Sequence, residues 1–164
     1  MNELELVLVG DSYAAPPSHI LDGLSQELVH HMLPGAPRSI YEELWHLAFW
    51  QQLTLDWIGG VETPCPASPA DGFPIVLDAE REYCDELRER FLAGAALAAE
   101  AASDVSRLDL PVNCPSRPGM PMRVMTVREQ LESLGAHNAY HLGRIVLLRQ
   151  LLGEWPPKSG GFTW

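Results

Sequence analysis

Eight of the chain's fourteen prolines are gathered into two stretches, Pro64, Pro66, Pro69 and Pro74 in one and Pro111, Pro115, Pro118 and Pro121 in the other. A proline locks φ and offers no backbone donor, so neither stretch can run as a helix or as a central strand. Residues 61–74 and 106–125 must therefore be connections, and the segments around them must supply the core. Those segments carry apolar residues at spacings of three and four, the mark of helices with one buried face.

Four helices are predicted. The first runs from about Ser18 to His31: Pro16 and Pro17 precede it, Ser18 caps it, Ile20, Leu21, Leu24 and Leu28 form one face, and Pro34-Gly35 ends it. The second starts at Ser39, whose spacing to Glu42 makes a capping box, and stops at Gly59-Gly60. The third is capped by Asp78 and reaches about Ser103, with Tyr83, Leu87, Phe91 and Leu97 or Ala98 turned inward and Gly94 as its weak point. The fourth opens with another capping box, Thr126 to Glu129, and ends near Gly153. Leu108 to Val112 is a candidate short strand inside the second proline-rich connection. Helices joined by crossovers too long for tight hairpins predict an all-α fold, a four-helix bundle with long crossover connections, as a single domain over residues 1–164.

Composition narrows the function classes. Cys65, Cys84 and Cys114 are odd in number and form no Cys-x-x-Cys pair, which argues against a disulfide framework or a zinc ribbon and for a reducing, cytoplasmic setting. No run approaches the roughly 18 apolar residues of a membrane span, and the first residues lack the basic segment of a signal peptide. With 22 acidic against 11 basic side chains, a net charge of −11 and a pI near 4.8, the chain repels polyanions. Neither nucleic acid nor membrane is an expected partner.

The chemistry sits on histidines. In the fourth helix Leu134, His137, His141, Ile145 or Leu148, and Leu152 share one stripe. Side chains four apart lie roughly 40° apart around the axis and about 6 Å along it, so the two imidazoles can reach one point. His46, on the apolar run Ile40 to Ile58, can complete a three-histidine site from a facing helix. Three protein ligands leave a coordination position open, as in catalytic metal sites, and neutral imidazoles suit a divalent transition metal, Zn or Ni foremost. A lone histidine on an apolar face is more often a core residue bonded to a carbonyl. Two of them four residues apart on one stripe read as readily as ligands as they do as core residues, because burying adjacent imidazoles without a shared task is costly in polar satisfaction.

Trp50, one turn after His46, and Arg144, three after His141, are weaker substrate-binding candidates, as a pocket wall and as a partner for a carboxylate. Core packing accounts for Trp50 at least as well, and a surface guanidinium with its stem on the core accounts for Arg144 better. His19, His30 and His31 flank the first helix as solvated or dipole-paired groups, and Tyr140 lies off the histidine stripe. No carboxylate is placed by spacing as a general base, so catalytic residues beyond a metal stay unassigned.

Three stretches resemble a known family: Ser39-Ile-Tyr-Glu-Glu-Leu-Trp-His46-Leu-Ala-Phe-Trp50, then His137-Asn-Ala-Tyr-His141-Leu-Gly-Arg with the residues to Gly153, and the closing Trp155-Pro-Pro. The chain is similar over most of its length to the DinB-like or YfiT-like four-helix-bundle metalloenzymes, which are unrelated to the DNA polymerase sharing the first name. The resemblance implies a divalent metal on His46, His137 and His141. Characterised relatives include bacillithiol or mycothiol S-transferases and a mycothiol-dependent maleylpyruvate isomerase, so it also implies a low-molecular-weight thiol as a possible second cofactor.

The expected function is that of a metal-dependent transferase or hydrolase, in which the three-histidine ion activates a thiol or water against a small electrophile. The alternative is a non-catalytic metal or small-ligand binding protein of a stress response. A homodimer is a further expectation, from the apolar surplus of the second helix.

Overall fold

The computed structural model describes residues 1–10, 14–75 and 82–161. Six α-helices run in chain order through these residues: α1 (Glu3–Val9), α2 (Pro17–Ile20), α3 (Gln26–His30), α4 (Ile40–Ile58), α5 (Cys84–Ser103) and α6 (Val127–Leu151). A hairpin of β1 (Pro111–Cys114) and β2 (Arg123–Thr126) precedes α6. The fold is all-α in class, with this one small sheet among the described residues.

Local chemistry sets the ends of the two helices that matter most. Ser39 Oγ accepts from the Glu42 amide at 3.2 Å while the Glu42 carboxylate accepts from the Ser39 amide at 2.8 Å, and α4 begins there. The same exchange between Thr126 and Glu129 starts α6, at 3.1 and 2.7 Å. Each box satisfies N–H groups that a helix start leaves without partners. Gly59 caps α4, and just beyond α6 Gly153 takes φ +74.

α4 lies between α5 and α6, and α1 packs on the far side against α5 and α6. Four corners of a bundle are thus filled, although the first is not occupied as the sequence predicts. The continuous helix expected over 18–31 is two short pieces, α2 and α3, separated by a turn in which Gly23 takes φ +67. Ser18 lies inside α2, and Ser25 caps α3 by accepting from the Leu28 amide. Of the apolar face expected there, Ile20, Leu21 and Leu24 are buried, Leu28 is only partly buried, and Val29, not counted in that face, is buried in its place. They are buried by a turn rather than by a single helical face. The corner itself belongs to α1, capped by Asn2, whose side chain also donates to the Ala102 carbonyl at 3.0 Å.

The third helix matches over 84–103. Its predicted cap Asp78 lies outside the described residues, and Tyr83 is the N-cap residue and is 66% exposed, not inward. Leu87, Phe91 and Ala98 face the core and Leu97 faces out. The strand expected at Leu108 to Val112 is displaced to β1, which pairs antiparallel with β2 from Pro111↔Thr126 to Cys114↔Arg123. Leu108 and Leu110 instead accept from the Arg128 and Val127 amides, tying this connection to the start of α6.

The apolar core is divided. One cluster gathers Ile40, Leu44, Leu47, Leu87, Phe91 and Ile145; the other gathers Leu8, Leu53, Trp57, Ala98, Leu131 and Leu134. Between them lies a buried polar layer. Asn138 donates to Gln51, whose amide donates to the Phe91 carbonyl at 2.7 Å. Gly94 leaves room for it, since a Cβ there would lie 2.3 Å from Gln51 Nε2. The histidines of α4 and α6 stand at this level.

Candidate metal centre

His46 on α4 and His137 and His141 on α6 converge: one ring nitrogen from each lies within 4.8 Å of the others. His46 Nε2 and His137 Nε2 are 3.1 Å apart, and ring centroids of the two α6 histidines are 4.5 Å apart. Zn–N bonds of about 2.0–2.1 Å at tetrahedral angles would hold donor nitrogens about 3.3 Å from one another. The cluster is therefore of a size that a small adjustment of the rings would bring around one ion.

The outer contacts fix which nitrogens point inward. A carbonyl can only accept, so the 2.6 Å contact between His46 Nδ1 and the Gly72 carbonyl places the proton on Nδ1 and leaves the lone pair on Nε2. His141 Nδ1 donates to Glu43 Oε2 at 2.6 Å, which likewise frees its Nε2. Glu43 is fully buried. Its other oxygen accepts from Arg144 Nε at 2.9 Å and lies 2.8 Å from Arg144 Nη2. A carboxylate behind a ligating histidine fixes ring orientation and raises basicity.

His137 differs from its neighbours. Its Nδ1 is buried without a hydrogen-bond partner, and its Nε2 meets the Nε2 of His46, so the ring is held against another candidate ligand. Burial, followed by the adjacent His141 and His46, pushes its imidazole down to about 4. Burial is also the largest influence lowering His46. Both rings are therefore neutral at physiological pH, the protonation state a ligand needs. The three histidines fit a divalent cation and could hold one.

The proline-rich connection after α4 contributes directly. A 3₁₀ turn, Pro69–Gly72, brings the Gly72 carbonyl to His46 and stacks Phe73 on its ring at a centroid distance of 4.1 Å. Trp50 stands edge-on to His46 at 6.1 Å. It also helps line a pocket of about 430 Å³ onto which His137 opens, with walls from both proline-rich connections.

The sequence candidates thus divide. His46, His137 and His141 come together, and Trp50 walls the pocket beside them. Arg144 holds Glu43 and donates to the Tyr140 hydroxyl at 3.2 Å, so its guanidinium is engaged within the protein. His19 packs against Trp155 and His30 against Tyr41, away from the cluster, while His31 is exposed. Two supporting groups escaped sequence reasoning. Glu43 lies three residues before His46 and so on its face of α4, a signal that was available. Gly72 carries none.

Fold and histidine cluster together define an all-helical bundle protein with a three-histidine site able to take a metal ion. The DinB superfamily profile matches residues 18–145, and the chain belongs to that superfamily. No curated protein matches the chain at a significant level. None of the helices among the described residues is long and apolar enough to cross a membrane.

Proposed function

We propose that this protein is a metal-dependent enzyme of thiol S-transferase or hydrolase type, with His46, His137 and His141 as ligands and Zn or Ni as the metal. The observation that carries the reading is a triad of imidazoles from two helices beside an open pocket, since three ligands and solvent access are the catalytic rather than the structural arrangement. A bound ion of this kind would supply Lewis acidity that lets a thiol or water ionise near neutral pH.

The chain's own residues do the rest. Gly72 and Glu43 hold His46 and His141 in the tautomers that face inward, and Arg144 holds the Glu43 carboxylate in place through two contacts to one oxygen. Phe73 stacks on the His46 ring and Trp50 stands edge-on to it, so both help fix its orientation. Sequestration without chemistry is the competing reading, and the count of three ligand candidates is what favours catalysis over a closed four-ligand site.

Elemental analysis of tag-free protein should find close to one transition metal per chain, and alanine at all three histidines should remove it. Cobalt-loaded protein should then change its visible spectrum on adding bacillithiol, mycothiol or glutathione and should turn over model electrophiles. Stoichiometric metal with neither a thiol-dependent spectral change nor any turnover of thiol or hydrolytic substrates would overturn the enzyme assignment in favour of sequestration.

A further inference from the structure

The pocket that reaches His137 is also lined by Arg117 and Arg123, one from each end of the turn between β1 and β2. In this chain that is a conspicuous place for two guanidinium groups. Acidic side chains outnumber basic ones by 22 to 11, and Arg38, Arg88, Arg90, Arg128 and Arg144 all have carboxylate partners. Among the described residues, Arg117 and Arg123 have no carboxylate within 4 Å, and no acidic side chain lines the pocket. Arg123 makes only a 3.4 Å contact to the Met125 sulfur. Both side chains are exposed.

The remaining walls are suited to a small organic molecule. Trp50, Trp57 and Met120 supply apolar surface, and Ser116 and Ser133 supply hydroxyls. A volume of about 430 Å³ falls in the range of small-ligand sites. Two unpaired guanidinium forks in a water-accessible, acid-free cavity would attract and orient an oxyanion, by bidentate hydrogen bonds and by local positive potential in an otherwise negative protein.

We infer that this pocket selects a small anionic ligand, whose carboxylate or equivalent oxyanion is gripped by Arg117 and Arg123 while its other end lies against His137, the member of the histidine cluster that lines the pocket. The inference rests on the proposed metal-site function and names its substrate class. Arg117 and Arg123 are then the specificity-determining residues, and the hairpin turn is the element that carries them. Neutral and cationic ligands of the same size lack the grip.

The test uses cobalt-loaded protein and three thiols of similar size: 3-mercaptopropionate, 2-mercaptoethanol and cysteamine. Two readouts are followed, the visible cobalt spectrum and tryptophan fluorescence, the second because Trp50 and Trp57 line the pocket whether or not the ion is touched. The anionic thiol should bind about three- to fivefold tighter than the neutral one, with cysteamine weakest, since both guanidinium groups are exposed and ion pairs of exposed groups are worth only a few-fold. Arg117→Gln with Arg123→Gln should remove the preference while leaving cobalt content and helicity unchanged, and lysine at both positions should restore part of it. Equal affinities for the three thiols, or a preference that survives the double glutamine variant, would overturn the inference. Fluorescence changes that keep the charge preference with no change in the cobalt spectrum would support the anion site while sinking thiol activation. A cobalt change without charge preference would do the reverse.

Discussion

Replacing Glu43 with glutamine separates the role of the buried carboxylate from that of its shape. In the wild type one carboxylate oxygen accepts from His141 Nδ1 at 2.6 Å and the other accepts from Arg144 Nε at 2.9 Å. Glutamine keeps a single acceptor. If its carbonyl stays on Arg144, the new NH₂ group faces His141 Nδ1, and two donors cannot share that position. The ring is relieved by moving its proton to Nε2, which removes the lone pair a metal would use.

Loss of such a supporting partner costs about 10–100-fold in metal affinity, equivalent to about 1.4–2.7 kcal/mol. The upper half of that range is expected, because Glu43 is fully buried and water cannot take its place. Arg144 is less affected, since its side chain is 31% exposed and can turn to solvent. Zinc affinity measured by chelator competition should therefore fall about 30-fold or more in Glu43→Gln, and ¹⁵N spectra of metal-free protein should show His141 exchanging its tautomer. Wild-type affinity within a factor of two, with His141 still protonated on Nδ1, would refute the reasoning and leave Glu43 as a packing partner of Arg144.

Two further outcomes follow from the polar layer and the lowered imidazoles. Gly94→Ala should destabilise the fold by about 1–3 kcal/mol, read as a drop in Tm, because the added Cβ displaces Gln51 from the Phe91 carbonyl and breaks the link to Asn138. Metal-free protein should lose stability as pH falls below 6.5 toward 4 and show little change above 6.5, because His46 and His137 titrate lower folded than unfolded and the unfolded chain takes up protons first. Denaturant midpoints across that window check the sign, and His137→Leu should flatten the slope.

The parts of the fold that were legible in the sequence are those whose cause is local. Ser39 with Glu42 and Thr126 with Glu129 announce the starts of α4 and α6, and helical periodicity then fixes which faces carry His46, His137 and His141. The 18–31 segment was misread because apolar spacing counts residues and not dihedrals: Ile20, Leu21 and Leu24 keep helical spacing through a turn at Gly23 that is no helix. α1 was missed because Leu4, Leu6 and Leu8 alternate like a strand, although Asn2 and Glu5 form a capping box at its start; burial of Leu8 and the bond from Asn2 to Ala102 then dock the helix. At the site the same division holds. The ligand candidates could be read from spacing along two helices, whereas Glu43 joins His141 across 98 residues of sequence and Arg117 and Arg123 reach the pocket through a hairpin whose register no local pattern gives.

Gly72 shows how far the connections govern what the helices present. Its φ is not in the left-handed region, so alanine is compatible with the backbone, and the obstacle is lateral. A Cβ would lie 2.9 Å from Trp50 Nε1 and 3.5 Å from His46 Cε1. The indole is a rigid plate against the pocket wall and cannot fold aside as a long flexible chain would, so the turn itself must retreat by a few tenths of an ångström. That retreat lengthens the 2.6 Å bond from His46 Nδ1 to the Gly72 carbonyl and loosens the ring's tautomer. Gly72→Ala should accordingly weaken zinc binding severalfold in chelator competition, shift tryptophan fluorescence through Trp50, and leave helicity intact, since α4 is capped at Ser39 and packed independently of the turn. Unchanged zinc affinity alongside a shifted fluorescence signal would mean that His46 is oriented by α4 and Phe73 alone, and that the proline-rich connection shapes the pocket without aiming the ligand.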